Sequence, residues 1–165
     1  MKFTIARNTF IKKLNAVQRA ISSKTTIPIL TGLKIKAEAD QLVLTGSNTD
    51  ISIETTISVN DPDAELDIEQ TGDIVLTARF FSDIVKKLPD NKMLVEVSDG
   101  FQTTITSGAS EFKINGLDAN NFPHLPEVDS QTTITLQADV FSEMINETVI
   151  AVSNQESRPI LTGIH

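Results

Sequence analysis

The sequence predicts an α+β domain made of two similar halves, each consisting of a strand, a helix and a meander of antiparallel strands. The first observation is a long internal repeat: residues 134–165 align without a gap with residues 3–34, at an offset of 131 and with ten identities in 32 positions. The segment PILTG occurs in both copies, at 28–32 and 159–163. Such self-similarity at fixed spacing indicates a duplicated structural unit.

A shorter repeat divides the first copy itself. The segment IVLTARFFSDIVKKL (74–88) aligns with ITLQADVFSEMINET (134–148), and also with residues 3–14 at an offset of 71. Further on, LTGSNTDISI from residue 44 resembles ITSGASEFKI from residue 105. The first copy therefore contains two halves, at about 1–65 and 66–118.

Hydrophobic periodicity defines the elements of the first half. Residues 3–5 predict a short strand, and Asn8 or Thr9 can cap the helix that follows. One face of that helix carries apolar residues at spacings of four, three and four: Phe10, Leu14, Val17 and Ile21. Strands follow over 29–36, 42–45 and 51–59. The last strand alternates inward-facing Ile51, Ile53, Ile57 and Val59 with outward-facing Ser52, Glu54 and Ser58.

The second half repeats this design, and a linker follows it. A helix is predicted over 79–87, and strands are predicted near 93–97, 101–106 and 111–115. Two such halves give a domain with both helices on one side of an antiparallel sheet. The proline-containing stretch NNFPHLPEVDS (120–130) is typical of a linker. In the later copy a strand and a helix recur, with Asp139 in the cap position.

Charge is unevenly distributed along the chain, although the net charge is −8. Residues 1–36 hold eight of the fourteen basic residues and no acidic one, whereas residues 61–73 carry six acidic residues and no basic one. This segregation indicates either one positive surface on an acidic body or a solvated helix face beside an acidic loop.

Basic residues recur at a spacing of seven on both predicted helices. Lys12 and Arg19 lie opposite the apolar face of the first helix, and Arg79 and Lys86 repeat the spacing on the second. These rows contain point charges without interleaved aromatic residues. The pattern suits contacts to phosphates and does not suit the reading of bases.

Four segments stand out along the chain: the opening MKFTI, the ARFF segment, the FPHLP linker and the RPILTG segment. Taken in this order, they resemble the bacterial DNA sliding clamp, the beta subunit of DNA polymerase III. The resemblance implies the DNA-clamp fold and a non-catalytic processivity factor. It implies three domains per chain, paired head to tail as a homodimeric ring around duplex DNA. Residues 1–125 would then be the first domain, and 131–165 the incomplete start of the second.

The resemblance also implies the functional residues. Lys24, Asn154 and Gln155 would contact DNA together with Lys12, Arg79 and Lys86. Arg158 and Leu161 would form part of a pocket for short peptides of the replicative polymerase, the clamp loader and repair proteins, and the remainder of that pocket is expected beyond residue 165. At the edge where relatives carry basic residues facing the neighbouring subunit, this chain has Ala109 and Glu111.

Other kinds of chemistry have little support in the sequence. Without cysteine, and with His124 and His165 far from any plausible partner, we expect no catalytic residue, metal site or cofactor. No apolar run indicates a signal peptide or a membrane span, so a cytoplasmic protein is expected. The alternative is a β-rich adaptor or ligand-binding module without a DNA role, whose basic helices merely face solvent.

Overall fold

The structure, a computed structural model, describes residues 1–22, 25–123, 133–155 and 157–165. The chain divides into two units, Met1–Leu125 and Pro126–His165. In the first half of unit 1 the elements are β1 (Lys2–Ala6), α1 (Arg7–Gln18), β2 (Gly32–Ala37), β3 (Gln41–Ser47) and β4 (Ser52–Ser58). In the second half they are β5 (Asp67–Gln70), β6 (Gly72–Thr77), α2 (Ala78–Lys87), β7 (Lys92–Val97), β8 (Gln102–Ser107) and β9 (Ser110–Asn115).

The strands of unit 1 form two antiparallel sheets that exchange one strand between the halves. One sheet has the order β4-β3-β2-β6 and the other has the order β5-β1-β7-β8-β9. Thus β6 pairs with β2, with Leu76 opposite Leu33, and β1 pairs with β7, with Phe3 opposite Val95. The α+β fold class is confirmed, with the strands divided between two sheets rather than placed in one.

Both sheets and both helices of unit 1 share one apolar core. Phe10, Leu14 and Val17 of α1 are buried in it, as the periodicity predicts. Residues of α2 and of both sheets complete the same cluster, which includes Phe81, Leu44 and Ile105. The two halves therefore fold around a common interior and do not form separate lobes.

Hydrogen bonds join α1 and α2 at both ends. Arg7 Nη1, at the start of α1, donates to the carbonyl oxygen of Leu88, just after α2. Gln18 Nε2, at the end of α1, donates to the carbonyl oxygen of Ala78 at 3.2 Å, at the start of α2. Because the start of each helix is bonded to the end of the other, the pair runs antiparallel.

The predicted caps are wrong, because the start of α1 is capped by a distant residue. The helix begins at Arg7, and its N-cap residue makes no side-chain hydrogen bond. Asn91 takes that role: its carbonyl oxygen accepts from Arg7 N at 2.6 Å and its Oδ1 accepts from Asn8 N at 3.2 Å. Thr9 Oγ1 instead donates to the carbonyl oxygen of Asp63 at 2.6 Å.

The first PILTG segment begins as a 3-10 turn and not as a strand. The turn covers Pro28–Thr31, and β2 starts only at Gly32. Thr31 Oγ1 donates to the carbonyl oxygen of Pro28 at 2.8 Å, which closes the turn within its own segment. The predicted strand over 29–36 therefore began too early.

Two further expectations about unit 1 need correction. Ile51 is exposed, because it belongs to the turn before β4, where Asn48 Oδ1 accepts from the backbone N–H of Asp50 and of Ile51. The acidic stretch 61–73 is not only a loop, since it contains β5, which lies beside β1 in the five-stranded sheet.

Unit 2 contains one α-helix among its described residues, α3 (Ala138–Thr148), and α3 has no buried residue. Asp139 is not its cap, because α3 begins at Ala138 and its N-cap side chain makes no bond. The strand expected before α3 in the later copy is not formed, since residues 133–137 have no regular secondary structure. Within the described parts of the chain, no helix is long and apolar enough to cross a membrane.

Candidate nucleic-acid interface

The outward faces of α1 and α2 carry exposed polar and charged side chains in rows. On α1 the row consists of Asn8, Lys12, Asn15 and Arg19, and on α2 it consists of Arg79, Asp83 and Lys86. All seven residues are exposed. Among the residues that the structure describes, no acidic group forms an ion pair with Lys12, Arg79 or Lys86. Their charges are therefore available to an outside partner.

A cleft of about 410 Å³ runs along α2, beside the C-terminal end of α1 and the residues that follow it. Arg79 and Lys86 line one side, and Gln18 and Ser22 line the other. Gln18 also bonds across the helix pair, because its Oε1 accepts from Ser82 Oγ at 3.3 Å. The structure thus brings two of the predicted cations to a single concave surface.

Asp83, which the sequence analysis did not consider, lines the same cleft. It lies four residues after Arg79 and three before Lys86, so all three occupy one helix face. The sequence alone shows this spacing, because Asp83 falls between Arg79 and Lys86 at helical intervals. The carboxylate lowers the positive potential between the two cations.

The repeat at offset 71 shows how charge differs between the two helices. It equates Asn8 with Arg79, Lys12 with Asp83 and Asn15 with Lys86. The three positions therefore carry one positive charge on α1, and two positive charges and one negative charge on α2. Over these three positions each helix has a net charge of +1, and Arg19 raises the row on α1 to +2. No aromatic residue stands between the charged groups of either row, so the surface suits phosphates and offers nothing for base stacking.

The remaining predicted DNA contacts are Lys24, Asn154 and Gln155. Lys24 is outside the described residues. Asn154 and Gln155 are exposed in unit 2, and the backbone N–H of Gln155 donates to Ser153 Oγ at 3.1 Å.

Arg158 and Leu161 belong to the second PILTG turn. The backbone N–H of Leu161 donates to the carbonyl oxygen of Arg158 at 3.0 Å, and the Leu161 carbonyl oxygen accepts from Ser153 N at 2.9 Å. These bonds close a loop that carries all four predicted residues of unit 2. The side chain of Leu161 is half exposed.

An apolar patch adjoins the edge strand β9. Phe80 and Phe112 are exposed there, and they line a hollow of about 390 Å³ together with Ile84, Ile114, Asp83, Lys87 and Lys113. Glu111 forms an ion pair with Lys113 at 3.1 Å. The acid is thus neutralised within its own strand, and Ala109 adds no charge.

The architecture and the helix pair define a DNA-clamp domain. The chain belongs to the family of the DNA polymerase III beta subunit, whose N-terminal-domain model matches residues 1–126. The resemblance seen in the sequence is thereby confirmed.

Individual relatives agree with this assignment. The beta sliding clamp of Bacillus subtilis is 49% identical over 166 residues, a match that covers 100% of this chain and 44% of the relative. The crystal structure of the B. subtilis sliding clamp superposes with a TM-score of 0.93 at 50% identity, covering 99% of this chain and 43% of that one. The Streptococcus pneumoniae beta chain gives a TM-score of 0.94 at 42% identity, covering 98% and 43%. The chain spans less than half the length of these relatives.

Proposed function

We propose that this chain is part of a sliding clamp, a non-catalytic processivity factor that encircles duplex DNA and tethers the replicative polymerase. The observation that carries the proposal is the cleft along α2 beside the end of the antiparallel helix α1, in which Arg79 and Lys86 face outward from a shared core. Family membership supports the same assignment.

Sliding follows from the kind of contact that this surface can make. Lysine and arginine held to phosphates by charge meet the same groups at every base step, so no position along the duplex is a deep energy minimum. Six residues are proposed to meet DNA: Lys12, Lys24, Arg79, Lys86, Asn154 and Gln155.

Partner proteins would bind through the second PILTG turn. Leu161 offers an exposed apolar side chain beside the exposed cation Arg158. A short peptide with apolar and acidic residues would match this pair, and we assign such peptides to the polymerase, the clamp loader and repair proteins.

Ring closure is proposed to use the edge strand β9. Its outer backbone groups can pair with a strand of a second copy, and Phe80 and Phe112 can be buried by the same contact. Since Glu111 is already paired with Lys113, apolar packing and strand pairing would carry a head-to-tail homodimer more than ion pairs between subunits. We place the assembly in the cytoplasm.

Topological retention on DNA tests the function. A complete clamp that begins with this sequence should, once loaded, stay on a circular plasmid and leave after the plasmid is cut. An adaptor without a DNA role would not distinguish the two forms, and that result would refute the proposal.

A further inference from the structure

We propose that the first unit holds a second, closed version of the partner-peptide pocket, occupied by the chain's own Phe122. The inference rests on the proposed function, in which Leu161 lines a peptide pocket. The inference adds that the peptide site was duplicated together with the fold. In the first unit, a residue of the same chain occupies the duplicated site.

The two PILTG turns are the same structure. Both are 3-10 turns, over Pro28–Thr31 and Pro159–Thr162. In each, the threonine Oγ1 donates to the proline carbonyl oxygen, at 2.8 Å in the first and 2.7 Å in the second. In each, the leucine N–H donates to the residue three positions earlier, at 3.0 Å. Leu30 and Leu161 therefore occupy equivalent positions.

The surroundings of these two leucines differ. Leu161 is 50% exposed, whereas Leu30 is only 2% exposed. Leu30 belongs to a small cluster with Val75, Ala119 and Phe122, separate from the main core of the unit. The first turn is thus covered, and the aromatic ring of Phe122 is the largest group that covers it.

A short segment, Gly116–Phe122, delivers this ring, and we call it the strap. It touches β6 through one antiparallel bridge, in which Leu117 N donates to the Val75 carbonyl oxygen at 2.8 Å and Val75 N donates to that of Leu117 at 3.1 Å. The Asp118 carboxylate then accepts from the backbone N–H of Asn120 at 2.9 Å and starts a 3-10 turn. The strap therefore places the Phe122 ring against Leu30 by a short strand pairing and a turn, as a bound peptide places its main apolar side chain in a pocket.

The strap is attached by few backbone bonds. At the equivalent edge of the other sheet, β5 aligns with β1 at three positions, whereas the strap aligns with β6 only at Val75 and Leu117. The strap's place on Leu30 thus depends largely on the Phe122 ring. Lys34 Nζ lies 6.0 Å from the centre of that ring, so the site combines apolar walls with one cation.

These features define the ligand that the closed site accepts. It is an aromatic side chain on a short turn with an acidic or amide residue before it. Because the strap is part of the chain, its effective concentration at the site is about millimolar, which a peptide of ordinary cellular concentration cannot overcome. Partner peptides are therefore left to the open turn that contains Leu161.

Removal of the Phe122 side chain tests the proposal in the 165-residue chain. The probe is a synthetic peptide with the sequence of residues 116–123, GLDANNFP. Phe122→Ala should bind it saturably and at least about tenfold more tightly than the original chain, with NMR shift changes at the methyl groups of Leu30 and Val75. The matched control is Phe141→Ala, which removes a phenylalanine of α3, outside the cluster, and should bind no better than the original chain.

A milder variant keeps the test decisive if Phe122→Ala does not fold. Asp118→Ala removes only the cap of the strap's turn and should give a smaller gain at the same methyl groups. A folded Phe122→Ala that binds no better than the control, or an Asp118→Ala that gains nothing when Phe122→Ala is unfolded, would overturn the inference.

Leu161→Asp separates this inference from the proposed function. The measurement uses a complete clamp that begins with this sequence, because the remainder of the open pocket is expected beyond residue 165. In that protein, peptide binding that Leu161→Asp abolishes reports the open pocket alone. If that binding persists in Phe122→Ala but the peptide causes no additional NMR shift changes at the Leu30 methyl groups, the closed site is refuted and the open pocket stands. If Phe122→Ala binds the peptide more tightly at Leu30 but Leu161→Asp abolishes no binding, the closed site stands and the open pocket is refuted.

Discussion

The rings of Phe10 and Phe81 meet edge to face, with the ring centroids 5.8 Å apart and the planes at 90°. The two residues are equivalent in the repeat at offset 71, and both are fully buried. A duplicated side chain therefore packs against its own counterpart. The contact between the two halves resembles an isologous interface, in which one surface meets its copy.

Truncation of either ring should destabilise the first unit strongly. Phe10→Ala or Phe81→Ala should lower the free energy of unfolding by about 3–5 kcal/mol, since a cavity forms in a filled core. Urea unfolding of the two single variants and the double variant should give a coupling of about 0.5–1.5 kcal/mol for the edge-to-face contact.

Phe80→Ala is the matched control, because Phe80 adjoins Phe81 in sequence but is 58% exposed. It should change the free energy of unfolding by less than about 1 kcal/mol. Equal losses at Phe80 and Phe81 would contradict a core centred on the repeated residue.

Local sequence signals predicted the helices and their buried faces but not the pairing of strands. The spacing of Phe10, Leu14 and Val17 is enough to orient α1, because a helix has a fixed period. The alternation of polar and apolar residues in a strand shows which side chains face the core, but it does not show which strand pairs with which. The exchange of β1 and β6 between the sheets could therefore not be predicted. The cap at Asn91 was missed for the same reason, since it comes from a distant part of the chain.

The candidate site was predictable to a similar extent. Exposure of Lys12, Arg79 and Lys86 follows from helical spacing. The cleft that joins Arg79 and Lys86 depends on how α1 and α2 pack, which no local pattern encodes. The prediction did not include Asp83, although its position between Arg79 and Lys86 is visible in the sequence, because only basic residues were considered as DNA contacts.

Loss of one phosphate contact should weaken DNA binding equally for all sequences. In a complete ring that begins with this sequence, Arg79→Ala or Lys86→Ala should lower the slope of log K against log salt by roughly 0.9, because one phosphate is no longer neutralised. Fluorescence anisotropy with two unrelated duplexes over a range of salt measures this.

Lys36→Ala provides the comparison for charge. Lys36 is an exposed lysine of β2 whose Nζ pairs with Glu38 at 2.6 Å, outside the helix rows. Its removal should leave the salt slope unchanged. A loss of affinity for only one of the two duplexes would argue against phosphate contacts by α2. An equal decrease in the salt slope for Lys36→Ala would argue against them as well.

Removal of the acid in the cleft should have the opposite effect. Asp83→Asn keeps the size of the side chain and deletes a negative charge between Arg79 and Lys86. A unit charge some 7 Å from a phosphate in water costs roughly 0.6 kcal/mol, so binding should tighten by about threefold. The same anisotropy assay checks this, and unchanged or weaker binding would mean that DNA does not approach the cleft.

Glu38 should give the first unit a pH-dependent share of stability. Its carboxylate accepts from Gln41 Nε2 at 2.7 Å and pairs with Lys36, and these two contacts lower the pKa of Glu38 below its ordinary value. A lowered pKa in the folded state stabilises the protein above the unfolded-state pKa, near about 4.3, and this share is lost as the pH falls through the folded pKa. The same pair raises the pKa of Lys36, so the lysine stays charged throughout that range.

Two variants isolate this effect. The difference in free energy of unfolding between the original chain and Glu38→Gln should be constant from about pH 5 to neutral and shrink below about pH 4. Gln41→Ala removes the largest cause of the shift, so an NMR titration should show the pKa of Glu38 rising toward its ordinary value. A difference that is the same at pH 3 and pH 7 would contradict the assignment.

The two units should differ in stability, because their helices bury very different amounts of apolar surface. In α1, Phe10 and Leu14 are fully buried, whereas their repeat equivalents in α3, Phe141 and Ile145, are 49% and 36% exposed. Full burial of each such side chain is worth about 1.5–3 kcal/mol, and an isolated helix shorter than about 12–15 residues is marginal in water. With 11 residues and no buried side chain, α3 lacks what stabilises α1.

Amide hydrogen exchange on the 165-residue chain checks this difference. Amides of β2 and β3 should exchange only through global unfolding, whereas those of α3 should exchange many times faster. If α3 covers its apolar face with a second copy, its protection should rise with protein concentration while that of β2 stays fixed. Equal protection of α3 and β2 at every concentration would mean that the stable unit extends through α3 and that the exposed face of this helix does not limit its stability.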